Sequence, residues 1–168
     1  FLRTTEFLWQ EGHSAFSSKE EAYRETYSII HKYQNFLKNY MCIPSYLGRK
    51  TNLEKFPGAE ITVCLEAMMQ DKKSLQLCTS HFLARNFSKV FNIKFNNNTG
   101  QEDYTWTMSF GITTRIIGAL IMLHGDDNGI VLPPRISPYQ VIILPRIYNE
   151  IEENKKNILK YAIDQKIF

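Results

Sequence analysis

Read as one strand, the first thirteen residues, Phe1-Leu2-Arg3-Thr4-Thr5-Glu6-Phe7-Leu8-Trp9-Gln10-Glu11-Gly12-His13, put Arg3, Thr5, Phe7, Trp9, Glu11 and His13 on a single face, because side chains alternate along an extended chain. A cation, two large rings, a carboxylate and an imidazole in one row do not suit a buried face, since an unpartnered charge is costly to bury. The face is either a solvated edge with incidental aromatics or one wall of a site for a charged ligand. Arg115 raises the same question. It falls in the first turn of an apolar helix read over Thr113 to His124, where a cation opposes the helix dipole and calls for an anion such as a phosphate. Two more residues belong with these. Ser109 lies on the hydroxyl face of an alternating strand, and His81 is either a hydrogen-bonded structural histidine or a ligand-facing one.

The elements that must position these groups follow from local pattern. Ser18-Lys19-Glu20-Glu21 is a capping box opening a helix of about six turns, with Tyr23, Tyr27, Ile30, Tyr33, Leu37 and Tyr40 along one stripe. Pro44 ends it, and residues 45–58 read as a loop. Ile61 to Met69 and Ser74 to Thr79 form a hairpin across Gln70-Asp71-Lys72-Lys73, and a short helix covers Leu83 to Phe91. Strands at Ile93 to Phe95 and Tyr104 to Phe110 flank the Asn-rich tip at 96–100. Asp126-Asp127-Asn128-Gly129 lacks the alternating ligands of a calcium loop and reads as a turn, so no metal site is expected. After the proline-punctuated linker Leu132 to Pro138 come a strand at Gln140 to Leu144 and a helix at Asn149 to Ile163. A lone strand and helix cannot bury a core, so they read as the beginning of a second, truncated domain.

Bulk properties exclude little. A chain of 168 residues, 43% hydrophobic, can bury a core, and a net charge of +3 is compatible with a phosphate or RNA partner without arguing for one. Cys42, Cys64 and Cys78 have neither disulfide-framework nor zinc-ligand spacing, which favours a reducing cytoplasm. The longest apolar run, Ile116 to Leu123, is too short to cross a bilayer. No membrane association is expected.

Three segments, Phe1 to His13, Thr79-Ser80-His81 with Asn86-Phe87-Ser88-Lys89, and Ser109-Phe110-Gly111-Ile112-Thr113-Thr114-Arg115-Ile116-Ile117-Gly118, together resemble the prolyl-tRNA synthetases. The run His124-Gly125-Asp126-Asp127-Asn128-Gly129-Ile130-Val131-Leu132-Pro133-Pro134 extends the resemblance, which covers nearly the whole chain in the family's order. It implies an α+β fold: a class II synthetase antiparallel sheet with flanking helices over residues 1–137, then the start of an α/β anticodon-binding domain over 138–168. The interval between the opening motif and the Arg115 motif leaves no room for a large editing insertion, which points to the eukaryote/archaeon-like branch. A first residue Phe, in mid-strand, suggests a piece of something longer. The outgoing strand of the second signature motif and the dimer-forming first motif would then precede it, and these 168 residues alone are expected to be inactive.

The resemblance implies activation of L-proline by ATP with Mg2+, transfer to tRNA(Pro), and a homodimer at full length. It implies that Arg3 and Arg115 are catalytic, that Arg3, Thr4, Phe7, Gln76, Thr113 and Arg115 contact ATP, and that Trp9, Glu11, Phe56, Thr79, His81 and Ser109 hold proline. The chemistry of these residue types agrees: a guanidinium forks onto phosphate oxygens, an aromatic face stacks on a base, and a carboxylate between rings suits a secondary ammonium. Phe56 would otherwise pass for core, and Gln76 for an ordinary strand residue. Phe110, Ala84 and Leu77-Cys78 depart from the family pattern, and Leu77 is the one expected to narrow a site. The alternatives are another class II synthetase, such as the threonyl enzyme, or a non-catalytic homologue acting as a binding or regulatory protein.

Overall fold

In chain order the first unit runs β1 (Trp9–Phe16), α1 (Lys19–Asn39), β2 (Tyr46–Arg49), β3 (Ile61–Met68), β4 (Ser74–Ala84), α2 (Asn86–Val90), β5 (Lys94–Asn96), β6 (Glu102–Tyr104), β7 (Trp106–Thr113), α3 (Arg115–His124), β8 (Gly125–Asp126) and β9 (Gly129–Ile130). A second unit carries α4 (Glu152–Asp164). The computed structural model describes residues 2–147 and 151–165, and its two units are Phe1–Ile136 and Ser137–Phe168. Five strands form one sheet in the order β1-β7-β4-β3-β2, antiparallel at every pairing.

The position of β3 in the sheet follows from its composition. Ile61, Thr62, Val63, Cys64 and Leu65 are all buried, as expected of an interior strand covered on both faces. Helix α1 covers one face. Ser18 Oγ accepts from the Glu21 N–H at 3.1 Å to start it, and Ala22, Thr26, Ile30 and Leu37 are the residues it buries. Their spacing is that of one helical face. On the same side Tyr23 meets Phe82 edge-on at 5.7 Å, and Tyr33 meets Phe110 at 6.3 Å. The functional candidates lie on the opposite face.

Several boundaries depart from sequence expectation, each for a reason of pairing. The opening strand begins at Trp9; residues 2–8 are irregular, and Phe1 lies outside the described residues. Strand β7 ends at Thr113, opposite Trp9, and turns into α3, so it offers the earlier residues no ladder. Instead Leu8 O accepts from the Thr114 N–H at 3.1 Å. Residues 46–49, expected as loop, pair with β3 despite Gly48 and the nearby Pro44. Leu83 and Ala84, expected to be helical, complete β4, and the expected strand at 104–110 divides into β6 and β7. Leu77, opposite a register shift in β3, is 2% exposed and packs in the core. Lys50 donates to Glu66 at 2.9 Å.

In the second unit the expected strand at Gln140 to Leu144 is absent; residues 141–147 have no regular structure, and no strand among the described residues pairs with them. An unpaired strand leaves its backbone groups unsatisfied and does not persist. The expected helix start at Asn149 lies outside the described residues.

Candidate functional site

Residues directly opposite one another in a ladder share a face, so the register assembles the site in rows. Glu11 pairs with Gly111, Gly111 with Thr79 and Thr79 with Cys64; one step along, His13 pairs with Ser109, Ser109 with His81 and His81 with Thr62. Trp9 faces Thr113 at the end of β1. Residues scattered from 9 to 113 thereby meet on the face that α1 leaves uncovered. Gly111 makes room for this. A Cβ there would stand 2.7 Å from the Trp9 ring, so the indole lies against a bare backbone.

Two cavities occupy this face. The larger, of about 520 Å³, is lined by Trp9, Glu11, Phe56, His81 and Ser109 together with His13, Leu83, Phe87 and Met108. That volume falls within the range of small-molecule sites. Its walls are rings: Phe56 lies 5.1 Å from His81 and 6.1 Å from Phe87. Its carboxylate is Glu11, whose Oε1 sits 3.1 Å from Nε2 of His13. Thr79 does not line the cavity, although it stands in the cross-sheet row of Glu11.

The smaller cavity, of about 180 Å³, is lined by Leu2, Arg3, Thr4, Phe7, Thr113, Thr114 and Arg115. Phe7 and Trp9 meet edge-on at 5.8 Å and 75°, one ring belonging to each cavity. Arg115 Nε donates to Leu2 O at 2.8 Å, and its Nη1 donates to Gln76 O at 3.2 Å. A guanidinium has five N–H donors, so two bonds anchor it and leave donors for an anion. Gln76 thus contributes its backbone carbonyl to this arrangement. The Thr113 hydroxyl accepts from the Arg115 N–H at 3.1 Å, at the mouth of α3.

Burial holds the His81 imidazole below its ordinary value, with the Glu11 carboxylate acting weakly in the opposite direction. His81 is therefore neutral at pH 7. Cys78 belongs to a different environment: burial pushes its thiol up to about 12, which removes it as a nucleophile. The arrangement binds and orients. An aromatic chamber with one carboxylate adjoins a cationic one, which suits a small amine held against a phosphate-bearing group.

Sequence reasoning assigned no site role to Phe87, Gly111 or Thr62. Gly111 was legible in principle as a glycine inside an alternating strand, a sign of close approach. Thr62 was not: a threonine among Ile61, Val63 and Cys64 is an ordinary strand residue, and its hydrogen bond to His81 exists only through pairing across nineteen positions.

No family model matches the chain. It is 51% identical over 164 residues to the Proline--tRNA ligase of Azobacteroides pseudotrichonymphae, an alignment spanning 95% of this chain and 33% of that protein. It is 53% identical over 162 residues to the Proline--tRNA ligase of Protochlamydia amoebophila, spanning 96% of this chain and 32% of that one. The crystal structure of prolyl-tRNA synthetase from Cryptosporidium parvum complexed with L-proline and AMP has the same fold, with a TM-score of 0.83 and 43% identity over 92% of this chain and 34% of that one. The chain spans about a third of the length of the curated relatives it matches. Over nearly its whole length, then, this chain is homologous to about one third of a proline--tRNA ligase, and its fold is that of the corresponding part of a prolyl-tRNA synthetase.

Proposed function

We propose that this chain is the part of a prolyl-tRNA synthetase that carries one wall of its active site, and that the enzyme at full length activates L-proline with ATP and transfers it to tRNA(Pro). The observation that carries the proposal is the junction of the two cavities at Phe7 and Trp9, with both arginines on one side and Glu11 among rings on the other. A cationic chamber beside an aromatic one is what joining a nucleotide to a cyclic amino acid requires. The C. parvum enzyme, described with L-proline and AMP, is consistent with this pairing of ligands.

In the proposed reaction a proline carboxylate oxygen attacks the α-phosphorus of ATP, the bond to the bridging oxygen breaks, and pyrophosphate leaves. A ribose hydroxyl at the 3′ end of tRNA then attacks the prolyl carbonyl, and AMP departs. Arg3 and Arg115 stabilise charge on the phosphates, Phe7 stacks on adenine, and Thr4, Gln76 and Thr113 complete the nucleotide contacts. Trp9 and Phe56 clasp the pyrrolidine ring, Glu11 holds its ammonium, and His81 and Ser109 fix its orientation, with Thr79 supporting the Glu11 row from outside the cavity lining. Magnesium enters as part of the substrate, bound to ATP oxygens.

The short interval between β1 and α3 supports the eukaryote/archaeon-like branch. Residues 1–137 are proposed as catalytic domain and 138–168 as the beginning of an anticodon-binding domain, within a cytoplasmic homodimer. Among the described residues no helix is long and apolar enough to cross a membrane.

The test is exchange of labelled pyrophosphate into ATP by the full-length protein. Proline is expected to support exchange with kcat/KM at least about 10²-fold above threonine, because the Trp9 and Phe56 rings shape the pocket for a cyclic side chain. Threonine preference would reassign the protein to the threonyl enzyme, and no exchange with any amino acid would make it a non-catalytic homologue.

A further inference from the structure

Behind the wall of the larger cavity, Thr62 is buried, 2% exposed, and absent from the cavity lining. Two groups that do line the cavity converge on its hydroxyl. The Phe56 backbone N–H donates to Oγ1 at 3.1 Å, and Nδ1 of His81 lies 2.9 Å from the same oxygen. The pairing of Thr62 with His81 in the β3–β4 ladder fixes that second contact, and Lys50 N–H donates to the Thr62 carbonyl at 2.9 Å, which holds the backbone from the other side.

Counting donors assigns the proton. A threonine hydroxyl has one hydrogen to give and can accept two. One acceptance is used by Phe56. If Nδ1 of His81 also donated, the hydroxyl hydrogen would have no acceptor among the described residues, in a position closed to water. Leaving a buried donor without a partner is costly, so the hydroxyl gives its hydrogen to Nδ1. A neutral imidazole that accepts at Nδ1 carries its proton at Nε2.

We propose that Thr62 is a positioning residue for this cavity: its hydroxyl holds His81 as the Nε2–H tautomer, so that the imidazole meets the ligand as a neutral donor, and it ties the Phe56 backbone to the same point. One oxygen thereby sets the relative placement of two walls, the Phe56 and His81 rings, whose centroids are 5.1 Å apart. Nε2, at the ring edge remote from Nδ1, has no hydrogen-bond partner among the described residues and is left for an acceptor on the ligand, such as a carboxylate or carbonyl oxygen. The specificity this confers rests on the synthetase reading, because it is the proline end of the site that His81 and Phe56 would line.

Two readouts on the full-length protein test it, with Thr62→Val and Thr62→Ser variants. In a selectively 15N-histidine-labelled sample, with His81 assigned by difference against His81→Asn, the wild type and Thr62→Ser are expected to show an unprotonated Nδ1 and a protonated Nε2. Thr62→Val is expected to lose that preference. In pyrophosphate exchange, Thr62→Val should raise KM for proline about tenfold or more while KM for ATP and kcat change by no more than about twofold. Thr62→Ser, which keeps the hydroxyl, should restore the wild-type KM. A protonated Nδ1 in the wild type, an unchanged proline KM in Thr62→Val, or equal losses toward both substrates that serine fails to rescue would each overturn the role of Thr62. If Thr62→Val does not fold, the wild-type 15N spectrum and the serine variant decide the matter. Absence of proline-dependent exchange in the wild type would instead remove the synthetase reading and leave the tautomer spectrum to judge Thr62.

Discussion

At the scale of single residues, Arg115 is defined by what holds it. Arg115 is anchored through Leu2 O and Gln76 O, so its remaining donors are presented from a fixed plane; a lysine could supply the charge but not the fork. Arg115→Lys is therefore expected to lower proline-dependent exchange about 10²-fold, the loss of a charge-assisted contact worth roughly 1.5–3 kcal/mol. Steady-state kinetics should assign the loss to ATP, with the proline KM little changed; an equal rise in both would place Arg115 in general packing. Arg115, Arg3, Glu11 and Trp9 were legible in the sequence because a charge or a large ring in a row that should be uniform is conspicuous. Thr62 was not legible, because what it does depends on the partner across the ladder, whereas Gly111 was passed over although a glycine inside an alternating strand is itself a sign of close approach.

Among the elements, β1 and β7 exchange roles. Each contributes a glycine where its neighbour contributes a ring: Gly12 opposite Phe110 on the α1 side, and Gly111 beside Trp9 on the cavity side. A Cβ on Gly12 would stand 2.1 Å from the Phe110 ring, which is itself packed against Tyr33. Gly12→Ala is accordingly expected to destabilise the protein by about 1–3 kcal/mol through overpacking, read from urea denaturation. Gly111→Ala would push the indole, whose one edge is open to the cavity, and is expected to raise the proline KM more than it lowers stability. If the two alanines behaved alike, the division of labour between the faces would be wrong. Element type followed from local pattern wherever one face had to be buried, as in α1 and β3. It failed where pairing decided the outcome: β2 forms because β3 offers it an edge, residues 2–8 stay irregular because β7 has ended, and Gln140 to Leu144 has nothing to pair with among the described residues.

For the whole molecule, the two units differ in what they bury. The interior of the first, with Val63, Leu65, Phe82 and Met108 each at most 1% exposed, is built around the sheet, while none of the described residues of the second is buried. Global stability therefore resides in the sheet, and two titrating groups on it set its response to acid. Burial lowers the value of His81 from about 6.5. Hydrogen bonds from Lys50 and then from Ser74 lower that of Glu66 from about 4.5. In both cases the unfolded chain binds the proton more readily than the folded one, so each contribution is fully present above the ordinary value and is lost as pH falls through the folded-state value. Stability should decline in two stages, the first beginning near pH 6.5 and the second near pH 4.5. His81→Gln, which cannot charge, should abolish the first stage and keep the second. Glu66→Gln should do the reverse and also lower stability at neutral pH, by about 1 kcal/mol or less, because the pair with Lys50 is partly exposed. Urea denaturation from pH 8 to pH 3 measures all three proteins; a first stage surviving in His81→Gln would mean that the acid response of the sheet does not begin at this half-buried histidine.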